Sequence, residues 1–229
     1  MDFPGLADRV ADVRGIIGAA VARAGRGQDV RIVAVTKTHG PEAVSAAVAA
    51  GLGDIGENKI QEAVAKQDAL VGMEGATWHL IGHLQRNKVK FLDRFSLFHA
   101  VDSSRLADAI DEFGRKRGQP VDVLLEVNVS GEATKGGFGP DELKREAARL
   151  AGVAGLRVIG VMTMAPFDAD ESTLRRVFSG ARSARDVCVA AGLPARELSM
   201  GMSGDYEIAV EEGATIVRLG TILFGERTP

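Results

Sequence analysis

Val30-Arg31-Ile32-Val33-Ala34-Val35 is an apolar, β-branched run of strand length. It exits through Thr36-Lys37 and gives way at residues 41–50 to an Ala/Val-rich segment with helical spacing. That segment stops at Gly51 and hands over to a second short apolar run, Gly53-Asp54-Ile55. Strand, helix and strand in that order form a βαβ unit, and a helical crossover is what joins parallel neighbours. Working outward, further strand candidates fall at residues 77–81, 96–101, 121–129, 156–162, 197–199 and 215–219. Helical segments fall at 59–70, 103–118, 141–150, 171–191 and 206–212. Capping signals open three of them: Asp102-Ser103, Gly139-Pro140-Asp141 and Ser203-Gly204-Asp205. An open doubly wound sheet and a closed barrel both fit such an alternation. Eight units of roughly 28 residues each match the usual size of the barrel. The expectation is an α/β fold, a single (β/α)8 TIM barrel over residues 1–229. An extra N-terminal amphipathic helix at residues 6–23 either plugs or flanks it.

The chain has 229 residues, 45% apolar and 26% charged, which is globular composition and argues against disorder or a coiled-coil rod. Net charge is −3, with 28 Lys/Arg scattered among 31 Asp/Glu, so no basic stripe recommends nucleic acid or an anionic membrane as partner. The one cysteine, Cys188, excludes an intrachain disulfide framework and fits a reducing cytoplasmic compartment. No signal-peptide core or long uncharged apolar run is present, so a soluble cytoplasmic protein is expected. Nothing in the pattern demands an oligomeric partner, and a monomer is expected.

A barrel places its chemistry at the carboxyl ends of its strands, so the residues just after each apolar run carry the site. These exits are Thr36-Lys37-Thr38, Gly56-Glu57-Asn58, Gly82-His83-Leu84-Gln85, Asp102-Ser103, Asn128-Val129-Ser130, Met162-Thr163-Met164, residues 200–205 and Gly220-Thr221. Lys37, directly off a buried strand, reads either as a desolvated, Schiff-base-forming amine or as the partner of a carboxylate. Ser199-Met200-Gly201-Met202-Ser203-Gly204-Asp205 follows a strand and opens a helix, a geometry that gathers backbone N–H groups and a hydroxyl around an anion. Arg218-Leu219-Gly220-Thr221 is its companion, and loops after strands seven and eight are a recurrent phosphate site in such barrels.

Other signals are weaker. Gly51-Leu52-Gly53-Asp54-Ile55-Gly56 spells a dinucleotide pattern but runs from helix into strand, the wrong order for that site. His79 and His83 lie in a β-like stretch with no completing cysteine or carboxylate cluster, so no metal is expected. Ser103, Ser104 and Ser130 lack a histidine at an activating spacing, and Cys188 reads as a small core residue. Met162, Met164, Met200 and Met202 alternate at strand ends as a pocket wall. A lysine facing a phosphate cradle suits a cofactor that carries both an aldehyde and a phosphate, as pyridoxal 5'-phosphate (PLP) does.

The residues also resemble a known family over nearly the whole chain. The matching stretches are Ala34-Val35-Thr36-Lys37, Gly56-Glu57-Asn58 with Gln61-Glu62, and Trp78-His79-Leu80-Ile81-Gly82-His83-Leu84-Gln85-Arg86-Asn87-Lys88. They continue through Asn128-Val129-Ser130 with Glu132 and Lys135-Gly136-Gly137, Gly160-Val161-Met162-Thr163-Met164, Ser199 to Ser203 with Asp205, and Arg218-Leu219-Gly220-Thr221 to Phe224-Gly225. In this order they are similar to the PLP homeostasis protein family (the YggS/PROSC type), single-domain relatives of the alanine racemase N-terminal barrel. Leu80 stands where the family usually has Phe. The resemblance implies that Lys37 holds PLP as an internal aldimine, and that Ser203, Gly204, Gly220 and Thr221 hold its phosphate. It implies further that Arg218 meets the phosphate or the pyridine nitrogen, and that Asn58, Met162 and Met202 line the ring. The implied role is to buffer and deliver PLP, with PLP-dependent apo-enzymes as candidate partners and no established reaction. The rival is a PLP-dependent amino-acid racemase, which needs a second acid/base opposite the lysine. Tyr206, the sole tyrosine, reads as structural, and a chain ending at Pro229 is expected to leave no room for a second domain. A barrel aldolase using Lys37 without cofactor is a third class, and Lys135 is a candidate second aldehyde-reactive site.

Overall fold

A computed structural model describes residues 3–129 and 136–225. Ser130 to Lys135 lie outside the described residues, and with them the second-site candidate Lys135. Eight parallel strands close into a barrel in sequential order: β1 (Arg31–Val35), β2 (Asp54–Glu57), β3 (Thr77–Leu80), β4 (Leu97–Val101), β5 (Val121–Glu126), β6 (Leu156–Met162), β7 (Glu197–Ser199) and β8 (Ile216–Leu219). Closure is made by β1 against β8, with Ile32 opposite Val217 and Val33 opposite Arg218. The (β/α)8 expectation holds, and each strand candidate falls on an observed strand. One boundary matters: β5 ends at Glu126, because Val127 onward keeps only a single bridge, to Phe138.

The helices are α1 (Leu6–Ala24), α2 (Pro41–Ala49), α3 (Ile60–Ala69), α4 (Ser104–Arg117), α5 (Pro140–Leu150), α6 (Glu171–Ala190), α7 (Tyr206–Glu211) and α8 (Thr221–Phe224). A 3-10 helix, Arg86–Arg94, makes the crossover from β3 to β4. The first helix flanks the barrel rather than plugging it. Leu6, Val10, Val13, Ile17 and Ala20 form its buried stripe, and it packs on α7 and α8. Each fully buried Val, Leu or Ile contributes about 1.5–3 kcal/mol, and Arg9 Nε adds a bond to the Leu223 carbonyl (2.7 Å).

Caps behave less uniformly than the sequence suggests. Gly139 precedes α5 with Pro140 at its first turn, as expected. Ser103 sits at the N-cap of α4, but its hydroxyl bonds the Asp102 carboxylate rather than the helix. A side-chain cap does form on α6, where Asp170 accepts from Thr173 N (2.7 Å). No helix among the described residues is long and apolar enough to cross a membrane.

Candidate functional site

At the carboxyl ends of the strands lies a cavity of about 700 Å³, lined among others by Lys37, Asn58, Met202, Ser203, Gly204, Arg218, Gly220 and Thr221. Eight of the nine candidate residues are therefore brought together by strands far apart in sequence. Met162 is the exception. It is buried in the barrel at 1% exposure and does not line the cavity. Met162 is the last residue of β6, and Met164, two residues further on and past the strand end, takes the wall instead. Met164 and Met202 are about half exposed at the rim, while Met200 is buried.

Lys37 leaves β1 over an unusual support. Thr36 Oγ1 donates to Glu57 Oε1, and the buried Lys66 Nζ donates to Glu57 Oε1 (2.6 Å), Glu62 Oε1 (2.9 Å) and the Thr36 carbonyl (2.7 Å). Thr38, next after the lysine, has φ 72°, a left-handed conformation that costs a non-glycine residue of order 1–3 kcal/mol. Its N–H is held by Glu62. The cluster thus locks the backbone on both sides of Lys37. Burial raises the Glu57 carboxyl above its ordinary range, with Lys66 and Thr36 opposing, and its Oε2 has no hydrogen-bond partner among the described residues.

The candidate anion side is built from the turns after β7 and β8. Gly201 has φ 95°, and a Cβ there would sit 2.7 Å from the Ala209 Cβ and 2.9 Å from the Tyr206 Cα, so only glycine lets the turn pack on α7. Ser203 Oγ receives the N–H groups of Gly220 (3.4 Å) and Ile222 (3.3 Å). Bonds that long leave both donors available to a stronger acceptor. Space beside Gly204 is open. Asp205 turns back to accept from Met202 N.

Arg218 is buried at 5% exposure, and desolvation lowers its guanidinium to about 10 although Asp205 and Glu126 favour the cation. Nη1 donates to the Ser199 carbonyl (2.8 Å) and Ser199 Oγ (2.7 Å), and Nη2 to the Thr163 carbonyl (3.0 Å). Among the described residues three of its five N–H groups are taken, and the cavity it lines lets the others reach a ligand.

Glu126 and Asp205 also line the cavity; Asp205 belongs to the strand-exit stretch read from sequence without a role of its own, and Glu126 was not picked out at all. Burial raises both carboxyls, with the Asp102 charge adding to the shift of Glu126. Glu126 was missed because the apolar run through Val127 and Val129 placed the strand exit too late. The last residue of a correctly bounded β5 would have been the signal. Tyr206 is buried at the start of α7 and is not part of the lining. His83 Nδ1 meets Asp102 Oδ2 (2.7 Å) while Ser103 Oγ donates to Asp102 Oδ1 (2.9 Å). That order, serine on aspartate rather than on histidine, does not activate a serine nucleophile. Cys188 is buried, its thiol pushed up to about 11.

Residues 18–228 match the alanine racemase N-terminal domain family. A pyridoxal phosphate homeostasis protein of Aquifex aeolicus is 42% identical over 225 residues, covering 96% of this chain and 97% of the relative. One of Escherichia coli K12 is 38% identical, with 97% of each chain covered. The structure of PipY of Synechococcus elongatus with PLP bound superposes with a TM-score of 0.85 at 35% identity, over 96% of this chain and 100% of that one. Alanine racemase of Corynebacterium glutamicum shares the fold, with a TM-score of 0.77 at 17% identity, and this chain covers 63% of it.

Proposed function

Because the chain belongs to the alanine racemase N-terminal domain family, and within it to the pyridoxal phosphate homeostasis proteins, we propose that it binds PLP in the cavity at the carboxyl ends of its strands. There it serves PLP homeostasis, buffering and delivering the cofactor as one barrel unit. The observation that carries this reading is the meeting of an amine, an anion cradle and a buried arginine in one cavity of about 700 Å³.

The residues fit such a group. Ser203 and the Gly220 and Ile222 N–H groups offer donors to a phosphate, and open space beside Gly204 admits it. Lys37 supplies the amine, its backbone fixed by the Glu57–Lys66–Glu62 cluster, and Asn58 and Met202 stand along the wall. Arg218 only donates hydrogen bonds and its positive charge disfavours a second one beside it, so a pyridine nitrogen held against it would accept and stay unprotonated. Bound PLP supplies an aldehyde that condenses reversibly with primary amines and a ring that withdraws electrons. An unprotonated ring withdraws weakly, which suits holding the cofactor over breaking bonds at a carbon. A cytoplasmic, monomeric carrier that hands PLP to apo-enzymes is the fuller form of the reading.

Two measurements test it. Purified protein incubated with PLP should gain a visible absorbance band, and mass spectrometry after borohydride reduction should find the adduct on Lys37. Lys37→Ala should lose both, and a wild-type protein that stays colourless would overturn the proposal. A racemase would need a second acid/base other than Tyr206, which is outside the cavity, and Glu126 is the candidate to test. No appreciable conversion of L- to D-alanine is expected; turnover abolished by both Lys37→Ala and Glu126→Gln would establish the rival.

A further inference from the structure

A chain of hydrogen bonds runs through the barrel interior from one end to the other. At the cavity, Arg218 Nη1 on β8 meets Ser199 Oγ on β7 (2.7 Å). Ser199 Oγ meets His99 Nδ1 on β4 (2.9 Å), His99 Nε2 meets His79 Nδ1 on β3 (3.0 Å), and His79 Nε2 meets Asp54 Oδ1 at the start of β2 (2.9 Å). In the barrel β4 and β7 are separated by β5 and β6, so the serine–histidine bond crosses the interior. Ser199 and His99 are fully buried and His79 nearly so. Asp54 is partly exposed, in a second cavity between α1 and the amino-terminal rim that Arg14, Gln28 and Arg31 also line.

Donor and acceptor accounting fixes the direction. An ionised Asp54 only accepts, so His79 Nε2 carries a proton. Arg218 only donates, so Ser199 Oγ receives it, and the serine hydroxyl must donate onward to His99 Nδ1. His99 then holds its proton on Nε2 and donates to His79 Nδ1. The reverse order would turn His79 into a buried imidazolium and leave the Ser199 hydroxyl proton with no acceptor, a costly arrangement in an apolar interior. In the one-way order every group is satisfied, and hydrogen bonds aligned in series polarise one another.

We propose that Ser199, His99, His79 and Asp54 are positioning residues for Arg218, forming a one-way relay that lets the carboxylate at the amino-terminal rim hold the cavity's guanidinium in place. The relay pins Nη1, the Thr163 carbonyl pins Nη2, and the remaining N–H donors are thereby fixed. The part that concerns the cofactor rests on the PLP reading above.

The test separates the two. In the protein without PLP, 15N-histidine spectra should show both His79 and His99 as neutral Nε2–H tautomers. The Arg218 side-chain N–H resonances, assigned by their loss in Arg218→Lys, should shift or broaden in Ser199→Ala and also in the distant Asp54→Asn. With PLP, Ser199→Ala should weaken affinity roughly tenfold, the scale of a bond to a charged group, and move the bound absorbance maximum. Ser199→Thr, which keeps the hydroxyl, should restore both. Nδ1–H tautomers, or Arg218 resonances and PLP spectra indifferent to Asp54→Asn and Ser199→Ala in folded variants, would overturn the relay. A wild-type protein that takes up no PLP would sink the cofactor reading, while the spectra without PLP would still decide the relay.

Discussion

His99 illustrates how a residue can be legible as buried and illegible as functional. It sits in the apolar run of β4, where the sequence offers no partner for it, and its bonds go to residues 20 and 100 positions away. Only closure of the barrel brings Ser199 across to it. Its burial has a measurable consequence. Desolvation, with the Arg218 and Arg31 cations adding, pushes its imidazole well below 6.5, so the folded protein keeps it neutral while the unfolded chain protonates it in the ordinary range. A depressed folded value gives stability that is present above the unfolded value and lost as pH falls toward the folded one. The loss from one such group is about 1.4 kcal/mol per pH unit. Urea unfolding of wild type and of His99→Gln at about pH 6.5 and 5.5 should show a flatter pH dependence in the variant. Parallel slopes would mean that His99 does not stay neutral in the fold. Lys37, Ser203, Gly220 and Thr221, by contrast, could be found from sequence because each stands at a strand exit, where the fold class alone assigns meaning.

Among the elements, strands were readable because β-branched runs are set off by glycine stops, and the long helices because their apolar stripes recur. The 3-10 helix Arg86–Arg94 was not, since its two buried residues, Val89 and Leu92, are too few in an otherwise polar segment to set it apart from a loop. Helix α8, four residues long, has too few turns for any period. Element packing also separates two glycines that composition treats alike. Gly15 lies on the exposed side of α1 with open space beside it, whereas a Cβ at Gly114 of α4 would fall 1.7 Å from the Gly155 carbonyl oxygen. Alanine gains about 0.5–1 kcal/mol over glycine in a helix interior. At Gly114 that gain is outweighed by the backbone shift needed to relieve the overlap, of order 1–3 kcal/mol. Denaturation should therefore find Gly15→Ala more stable than wild type and Gly114→Ala less stable. Equal effects would mean that α4 does not lie so close to the turn before β6.

At the scale of the whole molecule, the outer layer is held where the barrel is thinnest. β7 has three residues and meets β8 at a single register pair, Ser199 opposite Ile216, yet the two strands carry the relay serine, the arginine and both turns proposed to hold the phosphate. Compensation comes from outside, where Glu211 of α7 binds Arg23 of α1 (2.7 Å) and Arg175 of α6 (2.7 Å), and Glu212 binds Arg175 (3.3 Å) and Arg182 (2.9 Å). The two arginines hold the Glu211 carboxyl below its ordinary value, Arg175 more than Arg23. The stability that this supplies is present above the ordinary carboxylate range and lost as pH falls through the lowered value. None of it could be read from sequence, because charges on separate helices carry no register until the barrel sets one. A single exposed pair contributes little, but a carboxylate shared by two arginines from two helices ties three elements together. Glu211→Gln should lower the melting temperature by roughly 2–4 °C at low ionic strength, and about 1 M salt should shrink the difference because the arginines are half exposed and screened. A deficit unchanged by salt would assign the effect to packing around α7 instead, and no deficit at all would leave the short β7–β8 joint to be held by the packing of α6 on β7 and of α7 on β8.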